Sequence, residues 1–473
     1  MAAVCFAVAI CGNAGAQSVP SPAGEAGLSH QVLKTLIETD TTHRSGSTTV
    51  LEGKIRTMLL DAGFPAADIV VDGPTENRGN LVVRYRAAHA VKKPLLIIIH
   101  LDVVEALRAD WTMDPFVLQV KDGYFYGRGT QDVKGNAAAF LTAFLELQRS
   151  RWTPKRDVIL ALTADEEGGA HNGVAWLLEH RPELVQAEAV INPDMGGLLL
   201  RGGKPAEMAV EATEKTYADF LFRATNPGGH SSLPTPENAL YEVADALGRL
   251  ERAPFPVELN AITHAYYVEE QKLANPERAA LIARLLQRGT EEQAAAELSA
   301  KYPWDNAILR TTCVATMMQA GHAPNALPGT ASANVNCRIL PGHSAEEVRK
   351  RLVAIADDPK VQVLYRAEDD SESATAPTRL TVAPPPPRKD IMDSLHVAMD
   401  ALHWNVPVLP IMEAGASDSI YTANAGMPSY GFSGIGVESG DERAHGRDER
   451  ILVSSYDQGV VFTRVLVKAL GES

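Results

Sequence analysis

Three apolar segments of the chain, each typical of a buried parallel strand, end in side chains that can bind metal ions. The first ends in His100-Leu-Asp102, the second in Asp165-Glu166-Glu167 and the third in Asp194. The carboxyl ends of parallel strands meet at one edge of an open α/β sheet, where such sheets bind their ligands. Histidine and carboxylate groups are ligands that catalytic zinc takes. The repetition therefore predicts a metal centre at this edge.

A further candidate, Asp132, lies in a glycine-rich turn just before a predicted Ala-rich helix over residues 136–147. Its carboxylate could reach the same edge, but an aspartate at this point could equally cap the helix N-terminus. The run of three acids also has an alternative, since most acidic turns are solvated. Solvation is a poor explanation here, because the run lies between a buried strand and a predicted helix over residues 172–180.

The predicted elements alternate between strand and helix up to about residue 215 and again from residue 371, which is typical of an α/β domain. Between these segments the order is β-α-β-β-α-β, the pattern of a ferredoxin-like domain, interrupted by a helical insert at residues 253–310. We therefore expect a catalytic domain in two parts, residues 17–215 and 371–473, with an inserted α+β lid domain at residues 216–370. A chain of 473 residues is long enough for two hydrophobic cores.

The formal net charge of −15 argues against nucleic acid or an anionic membrane surface as a partner. The four cysteines include no Cys-x-x-Cys pair, so a metal would be held by histidine and carboxylate groups. Residues 1–16 are mostly small and apolar and end in Ala-Gly-Ala, which predicts a signal peptide and export to the periplasm or medium. No membrane association is expected after its removal. Cys313 and Cys337 would then remain, either bridged or as two separate strand thiols.

Eight motifs occur in order along the chain: HLD, GRGTQDVKG, DEEGG, PDMGG, GGHSSLP, PNALPG, GASDS and AHGRDE. This set resembles the metallopeptidase family of carboxypeptidase G, aminoacylase, succinyl-diaminopimelate desuccinylase and the carnosine-type dipeptidases, from about residue 28 to the end. The resemblance implies a di-zinc hydrolase of amide bonds, with Co²⁺ or Mn²⁺ as substitutes for Zn²⁺. It also implies a zinc-exopeptidase-like catalytic domain and a lid domain that often forms a homodimer.

The resemblance also implies a set of metal ligands and a general base. The ligands would be His100 and Asp194 for one zinc, Glu167 and His445 for the other, and Asp132 bridging both. Asp102 would orient the His100 ring, and Glu166 would be the general base that passes a proton from water to the leaving nitrogen. Aspartate at position 194, in place of glutamate, tends to accompany aminopeptidase and dipeptidase members of the family.

A second group of implied site residues lies mainly in the lid. His230 resembles the family histidine that reaches the active site of the partner subunit and stabilises the tetrahedral oxyanion. Its alternative is a turn histidine held by the two serines that follow it. Asn325 and Arg338 match positions that bind the substrate's carboxylate or scissile carbonyl, although Arg338 could be a structural strand arginine. In the last part of the chain, Ser417 matches a residue of the site wall, although helix capping explains it equally well.

These observations favour an exported, co-catalytic zinc hydrolase that cleaves the amide bond of short peptides, as an exopeptidase or dipeptidase. An N-acyl-amino-acid amidohydrolase is the alternative within the same reaction class. A catalytically silent binding protein on the same scaffold is a more remote alternative, because a non-enzyme need not retain Glu166 and all five ligands.

Overall fold

The first part of the chain folds into alternating helices and strands. The computed structural model describes residues 25–168, 171–367, 369–379 and 387–473, so the predicted signal peptide at residues 1–16 lies outside the described residues. In chain order the elements are α1 (Glu25–Ile37), α2 (Thr48–Asp61), β1 (Ile69–Asp72), β2 (Asn80–Tyr85), β3 (Leu95–His100), β4 (Gln119–Lys121), β5 (Tyr124–Tyr126), α3 (Lys134–Arg149), β6 (Val158–Thr163), α4 (Gly173–His180), α5 (Pro182–Val185), β7 (Ala189–Ile191), β8 (Gly197–Arg201) and β9 (Lys204–Glu214).

The middle segment follows the predicted β-α-β-β-α-β order, with four helices inserted after its first helix. Its elements are β10 (Thr216–Thr225), β11 (Gly229–His230), α6 (Ala239–Arg252), α7 (Ala261–Leu273), α8 (Pro276–Leu285), α9 (Glu291–Lys301), α10 (Pro303–Leu309), β12 (Thr312–Ala320), β13 (Ala326–Leu327), β14 (Thr330–Ile339), α11 (Ala345–Ala356), β15 (Val361–Arg366) and β16 (Glu372–Ser373). The main antiparallel sheet has the order β12-β14-β10-β15-β16. Helices α6 and α11 share one apolar cluster with this sheet, as a ferredoxin-like arrangement requires.

The last segment completes the catalytic layers. Its elements are α12 (Lys389–Ala401), β17 (Val408–Glu413), α13 (Ser419–Asn424), β18 (Ser429–Tyr430), β19 (Val437–Glu438), β20 (Arg450–Leu452) and α14 (Val453–Glu472). The central sheet thus has the order β1-β2-β6-β3-β7-β18. Strands β6, β3, β7 and β18 are parallel, as predicted, whereas β2 is antiparallel to both β1 and β6. The short connection between β1 and β2 explains the antiparallel β1–β2 pair, because antiparallel strands need only a short loop whereas parallel strands need a crossover.

Strand β3 lies in the middle of the core, which explains why the whole strand is apolar. The odd-numbered residues from Leu95 to Ile99 pack with helices α1, α3, α12 and α14. Leu96 and Ile98 pack with α4 and α5 on the opposite face. Every residue of the strand, including His100 at its end, is buried. The packing on both faces therefore holds His100 in a fixed position at the sheet edge.

Two smaller sheets were not foreseen in the sequence pattern. One has the order β17-β9-β8-β19, with β17 parallel to β9, and the other has the order β20-β5-β4. In the latter, Arg450 lies opposite Tyr126. This pairing brings the late loop at residues 441–449 next to the glycine-rich turn at residues 127–135.

The helical insert packs against the catalytic part of the molecule through α7 and β17. Asn260 caps α7, and its side-chain nitrogen lies 3.3 Å from the sulfur of Met412 on β17. Within the insert, the fully buried carboxylate of Asp305 accepts hydrogen bonds from Tyr267 Oη at 2.8 Å and Arg278 Nη2 at 3.1 Å. The insert therefore has a charged cluster of its own.

Cys313 on β12 and Cys337 on β14 lie opposite each other and are joined by a disulfide bond. Of the two alternatives that the sequence left open, the structure has the bridged form. Among the described residues, no helix combines the length and the apolar character needed to cross a membrane.

Candidate metal centre

His100 is the buried corner of the predicted site. Its side chain is only 2% exposed, and its Nδ1 lies 3.0 Å from the backbone carbonyl of Asp102. Because a carbonyl oxygen can only accept, Nδ1 donates to it, and Nε2 is the ring nitrogen that faces the carboxylates. Nε2 lies 3.2 Å from Asp132 Oδ1 and 3.5 Å from Asp194 Oδ1. The ring is therefore oriented for a ligand that these two carboxylates share.

Asp102 orients this ring in a different way from the one predicted. Its carboxylate Oδ1 lies 3.7 Å from His100 Nδ1, too far for a hydrogen bond, and the contact comes from its carbonyl. The carboxylate instead accepts hydrogen bonds from the backbone N–H of Glu166 at 3.2 Å and of Glu167 at 3.0 Å. Asp102 therefore positions the histidine and the acidic turn at once.

Asp132 lies between the two histidines of the site. Helix α3 begins at Lys134 after Val133, and no side-chain cap is present at this end. The capping alternative for Asp132 is therefore wrong. The peptide bond between Asp132 and Val133 is cis. Besides its contact with His100, the carboxylate places Oδ2 at 3.0 Å from His445 Nε2, so its two oxygens face two different imidazoles.

The acidic turn after β6 sends its three carboxylates in different directions. Asp165 is buried and pairs with Arg78, whose Nε lies 2.9 Å from Oδ1. Glu167 Oε2 lies 2.9 Å from His445 Nε2. Glu166 groups with His100 and Asp194, with one potential ligand atom of each lying within 4.8 Å of the other two. The turn is thus part of the site, and the solvated alternative is wrong.

Asp194 and His445 complete the cluster from opposite sides. Asp194 follows β7, and its backbone N–H donates to Asn192 Oδ1 at 3.3 Å. His445 belongs to the late loop and has a positive φ of 60°. Its side chain is 56% exposed, against 2% for His100. One end of the cluster is therefore embedded in the sheet, while the other end faces solvent.

Burial and hydrogen bonds within the cluster shift the pKa values of its acids and of His445. Burial opposes a charge on Asp132, yet hydrogen bonds with the two histidines hold its pKa well below the usual range. Hydrogen bonds with Asp132 and Glu167 raise the pKa of His445 to about 10. Burial raises the pKa of Glu166 to about 10, with further contributions from Asp194 and other nearby carboxylates.

When its acids are ionised, a set of four carboxylates and two imidazoles has excess negative charge in a largely desolvated place, where an unpaired charge is costly. Oxygen and imidazole nitrogen donors suit zinc, and carboxylates also suit manganese. The donor set therefore fits divalent cations.

Ser417 lies at the wall of the site but is held by protein atoms. It is 4% exposed, and both its N–H and its hydroxyl donate to Glu214 Oε2 at 2.8 Å. The hydroxyl oxygen also accepts from Asn192 Nδ2 at 3.2 Å and from Ser419 N, at the start of α13. These hydrogen bonds give Ser417 a structural role at the wall of the site, whereas the N-cap residue of α13 is Asp418. Glu214 and Asn192 were not among the residues predicted from the sequence, although a buried-strand pattern ending in an acid was an available signal for Glu214.

The lid residues form a separate group. Ser232 donates its backbone N–H to His230 Nδ1 at 3.2 Å, and its hydroxyl lies 2.7 Å from the same nitrogen. The carbonyl of Asn325 accepts from Ser231 N, so this loop and the His230 loop are adjacent. Arg338 lies on β14 with its guanidinium over the ring of Tyr217 at 4.8 Å. Within the described part of the chain, no hydrogen bond or ion pair joins these residues to His100 and its neighbours.

Comparison with known proteins places the chain among relatives of one kind. The sequence profile of peptidase family M20/M25/M40 matches residues 96–469. The human N-fatty-acyl-amino acid synthase/hydrolase PM20D1 is 30% identical over 385 residues, which cover 80% of this chain and 74% of the relative. The probable carboxypeptidase S-like 2 of Dictyostelium discoideum is 28% identical over 399 residues, covering 82% and 74%. These matches confirm the resemblance that the eight motifs indicated.

Solved structures agree on the fold. The M20 family metallo-carboxypeptidase Sso-CP2 from Sulfolobus solfataricus has a TM-score of 0.67 to this chain, at 18% sequence identity. The match covers 94% of this chain and 99% of that protein. At such identity the comparison concerns the fold alone, and it confirms the predicted α/β class.

Proposed function

This chain belongs to peptidase family M20/M25/M40, and from that premise we propose that it is a zinc-dependent hydrolase of the amide bond in short peptides. One observation carries the proposal. Five ligand-type side chains from five separate segments converge beside the carboxyl group of Glu166, namely His100, Asp132, Glu167, Asp194 and His445. Such a set has excess negative charge that a purely structural cluster would leave uncompensated.

The cluster offers places for two Zn²⁺ ions, with Co²⁺ or Mn²⁺ as substitutes. His100 and Asp194 would hold one ion and Glu167 and His445 the other. Asp132 would bridge them, since its two oxygens face the two histidines. When bound, such ions lower the pKa of a water molecule and polarise the substrate carbonyl.

Glu166 would move the protons. Positive charge beside the cluster lowers the pKa of a neighbouring carboxyl, so Glu166 would ionise in the loaded protein. Its carboxylate would take a proton from the water whose oxygen attacks the carbonyl carbon. It would then deliver that proton to the amide nitrogen as the C–N bond breaks, giving a carboxylic acid and an amine.

His230 would stabilise the oxyanion. Because its Nδ1 accepts the N–H of Ser232, the proton of the neutral ring lies on Nε2, which can donate. The side chain is exposed on the ferredoxin-like domain. We propose that it reaches the centre when this domain closes as a lid, or from a second copy in a homodimer.

A second candidate is hydrolysis of N-acyl amino acids. The 30% identity to the human N-fatty-acyl-amino acid synthase/hydrolase supports it. A cavity of about 190 Å³ beside α13 and β9 also supports it, because its walls include Ile420, Ala423 and Pro428. An apolar cavity of about 150 Å³ can hold a benzene molecule, so this one has room for an acyl group.

The decisive experiment is a substrate panel with controlled metal content. Protein stripped of metal with a chelator is assayed before and after addition of Zn²⁺ or Co²⁺. Free dipeptides are compared with N-acetyl, N-carbamoyl, N-succinyl and long-chain N-acyl amino acids. Zinc-dependent turnover of dipeptides supports the first proposal.

The other outcomes are equally informative. Turnover of the N-acyl compounds alone would contradict the peptidase proposal and support the second candidate. Protein that binds no metal, and that turns over none of these compounds after zinc is added, would contradict both proposals and support a silent binding protein.

A further inference from the structure

We propose that Arg128 and Glu449 are a positioning pair that holds Asp132 and His445 at the correct separation for one metal ion. The inference rests on the proposed function, because it concerns the metal position formed by Asp132, Glu167 and His445. Both members of the pair are buried, with exposures of 2% for Arg128 and 0% for Glu449. They lie 321 residues apart in the chain, and Arg128 Nη1 is 2.7 Å from Glu449 Oε2.

Glu449 binds the turn that carries Asp132. Its Oε1 accepts the backbone N–H of Gln131 at 2.6 Å and of Asp132 at 3.0 Å. Its Oε2 accepts the backbone N–H of Gly129 at 2.9 Å in addition to the guanidinium. One carboxylate therefore satisfies four donors, three of which belong to the backbone leading to Asp132.

Arg128 binds the loop that carries His445. Its Nη2 donates to the carbonyl of Gly446 at 3.0 Å and lies 3.4 Å from the carbonyl of His445. The guanidinium also lies over the ring of Trp111, with 5.1 Å between its carbon and the ring centre. Each partner thus holds the other partner's loop, and breaking either one loosens both loops.

The buried end and the exposed end of the cluster depend on the Arg128–Glu449 pair to different degrees. His100 ends a fully buried strand, and Asp194 follows the neighbouring strand β7. His445 lies in a loop with a half-exposed side chain and a positive φ. The pair therefore supports the metal position at the exposed end, and the buried end is fixed by the sheet itself.

The chemistry of the pair defines which substitutions break it. In Glu449→Gln one acceptor oxygen becomes an NH₂ group, which faces backbone N–H donors and cannot accept from them. In Arg128→Lys the positive charge remains, but a single ammonium replaces the planar fork that reaches the carboxylate and the carbonyls together. Both variants keep all five proposed ligands and Glu166.

The test is a calorimetric titration of Zn²⁺ into chelator-stripped protein. For Glu449→Gln and Arg128→Lys, we expect the zinc held by His100 and Asp194 to lose little affinity, because it shares only Asp132 with the loosened loops. The second should bind about 10–100-fold more weakly, the usual effect of removing a group that supports a ligand. Release of zinc to a chromogenic chelator should show one fast phase in the variants.

Asp305→Asn is the matched control, because it removes a fully buried carboxylate from an arginine pair in the helical insert. It should lower the melting temperature and leave both zinc affinities unchanged. Two zinc ions bound with wild-type affinity in both pair variants would overturn the proposal. The proposal would also be overturned if a pair variant bound both zinc ions equally more weakly and its melting temperature fell by as much as that of Asp305→Asn.

If Glu449→Gln fails to fold, the Arg128→Lys titration decides alone. Wild-type protein that binds no zinc would contradict the proposed function instead, so the two failures are distinguishable.

Discussion

Two buried charged clusters in this protein differ in how their positive and negative groups are matched. In the helical insert, the guanidinium of Arg278 pairs with two carboxylates, Asp305 and Glu270, and Asp305 also accepts from the hydroxyl of Tyr267. At the edge of the central sheet, four carboxylates lie around two imidazole rings. The permanent cation of the first cluster pairs with each of its acids, whereas the second cluster has twice as many acids as imidazole rings and no permanent cation.

The difference separates a structural cluster from a functional one. A matched pair with satisfied hydrogen bonds can be buried because each charge compensates the other. An unmatched group of acids either takes up protons or binds a cation, since isolated buried charges are costly. Burial of charge is therefore a weak guide to function, and the charge balance of the cluster is a better one.

The largest effect that tests this comparison should come from Glu166→Gln. An amide cannot take a proton from water, so kcat should fall by about 10²–10⁴-fold, the usual contribution of a general base. Because Glu166 is not a proposed ligand, the variant should retain both metal ions. The measurements are kcat on the best substrate of the panel and metal content by mass spectrometry.

The control variant for Glu166→Gln is Asp305→Asn, which alters the charged cluster in the helical insert. The folded control should keep wild-type kcat. Near-normal turnover of Glu166→Gln would show that the acid beside the metal ligands has no catalytic role, and the distinction between the two clusters would then lose its main support.

Asp305→Asn should nevertheless have the larger effect on stability. It removes one of the two carboxylates that pair with the guanidinium of Arg278, whose side chain is only 12% exposed, and leaves Glu270 at 2.8 Å. Removing one partner from buried donors in this way costs about 1–3 kcal/mol of the free energy of unfolding. Urea unfolding of the zinc-loaded protein measures this loss of stability, and Glu166→Gln is the reference variant. A loss below about 0.5 kcal/mol, the scale of surface substitutions, would show that solvent already compensates this cluster.

The sequence could predict the ligand candidates because local patterns mark them. Buried strands give continuous apolar runs; His100 ends one such run, and Glu167 and Asp194 come within four residues of the ends of two others. The contact between Asp102 and His100 could not be predicted in detail, because β3 ends at His100 and the alternation of side chains ends with it. The carbonyl, rather than the carboxylate, then faces the ring.

Long-range pairings were the part that the sequence could not predict. Strand β20 has three residues and pairs with the three-residue β5, and neither has a hydrophobic pattern long enough to detect. The hydrogen bonds of Ser417 depend on Glu214, which lies on a distant strand of an unforeseen sheet. The carboxylate of Glu449 likewise accepts hydrogen bonds from backbone N–H groups that are distant in the sequence. Such contacts follow from the tertiary fold, and no local spacing indicates them.

The unbalanced cluster should also make the metal-free protein sensitive to pH. In the folded protein, burial raises the pKa of Glu166 to about 10, and hydrogen bonds with Asp132 and Glu167 raise the pKa of His445 to about 10. In the unfolded chain these groups titrate near about 4.3 and about 6.5. Between those values and pH 10 the folded protein therefore binds more protons than the unfolded chain, so its free energy of unfolding falls as pH rises.

We expect the metal-free protein to lose stability gradually from about pH 5 to about pH 10. Glu166 contributes at most about 1.4 kcal/mol per pH unit, and the half-exposed His445 contributes less because solvent screens its partners. Zinc-loaded protein should change in the opposite direction, because metal displaces protons and binds more tightly at higher pH. Thermal unfolding at several pH values, with chelator or with zinc, measures both slopes. If stability changed with pH at the same rate with and without zinc, the metal would not be neutralising the excess charge of this cluster.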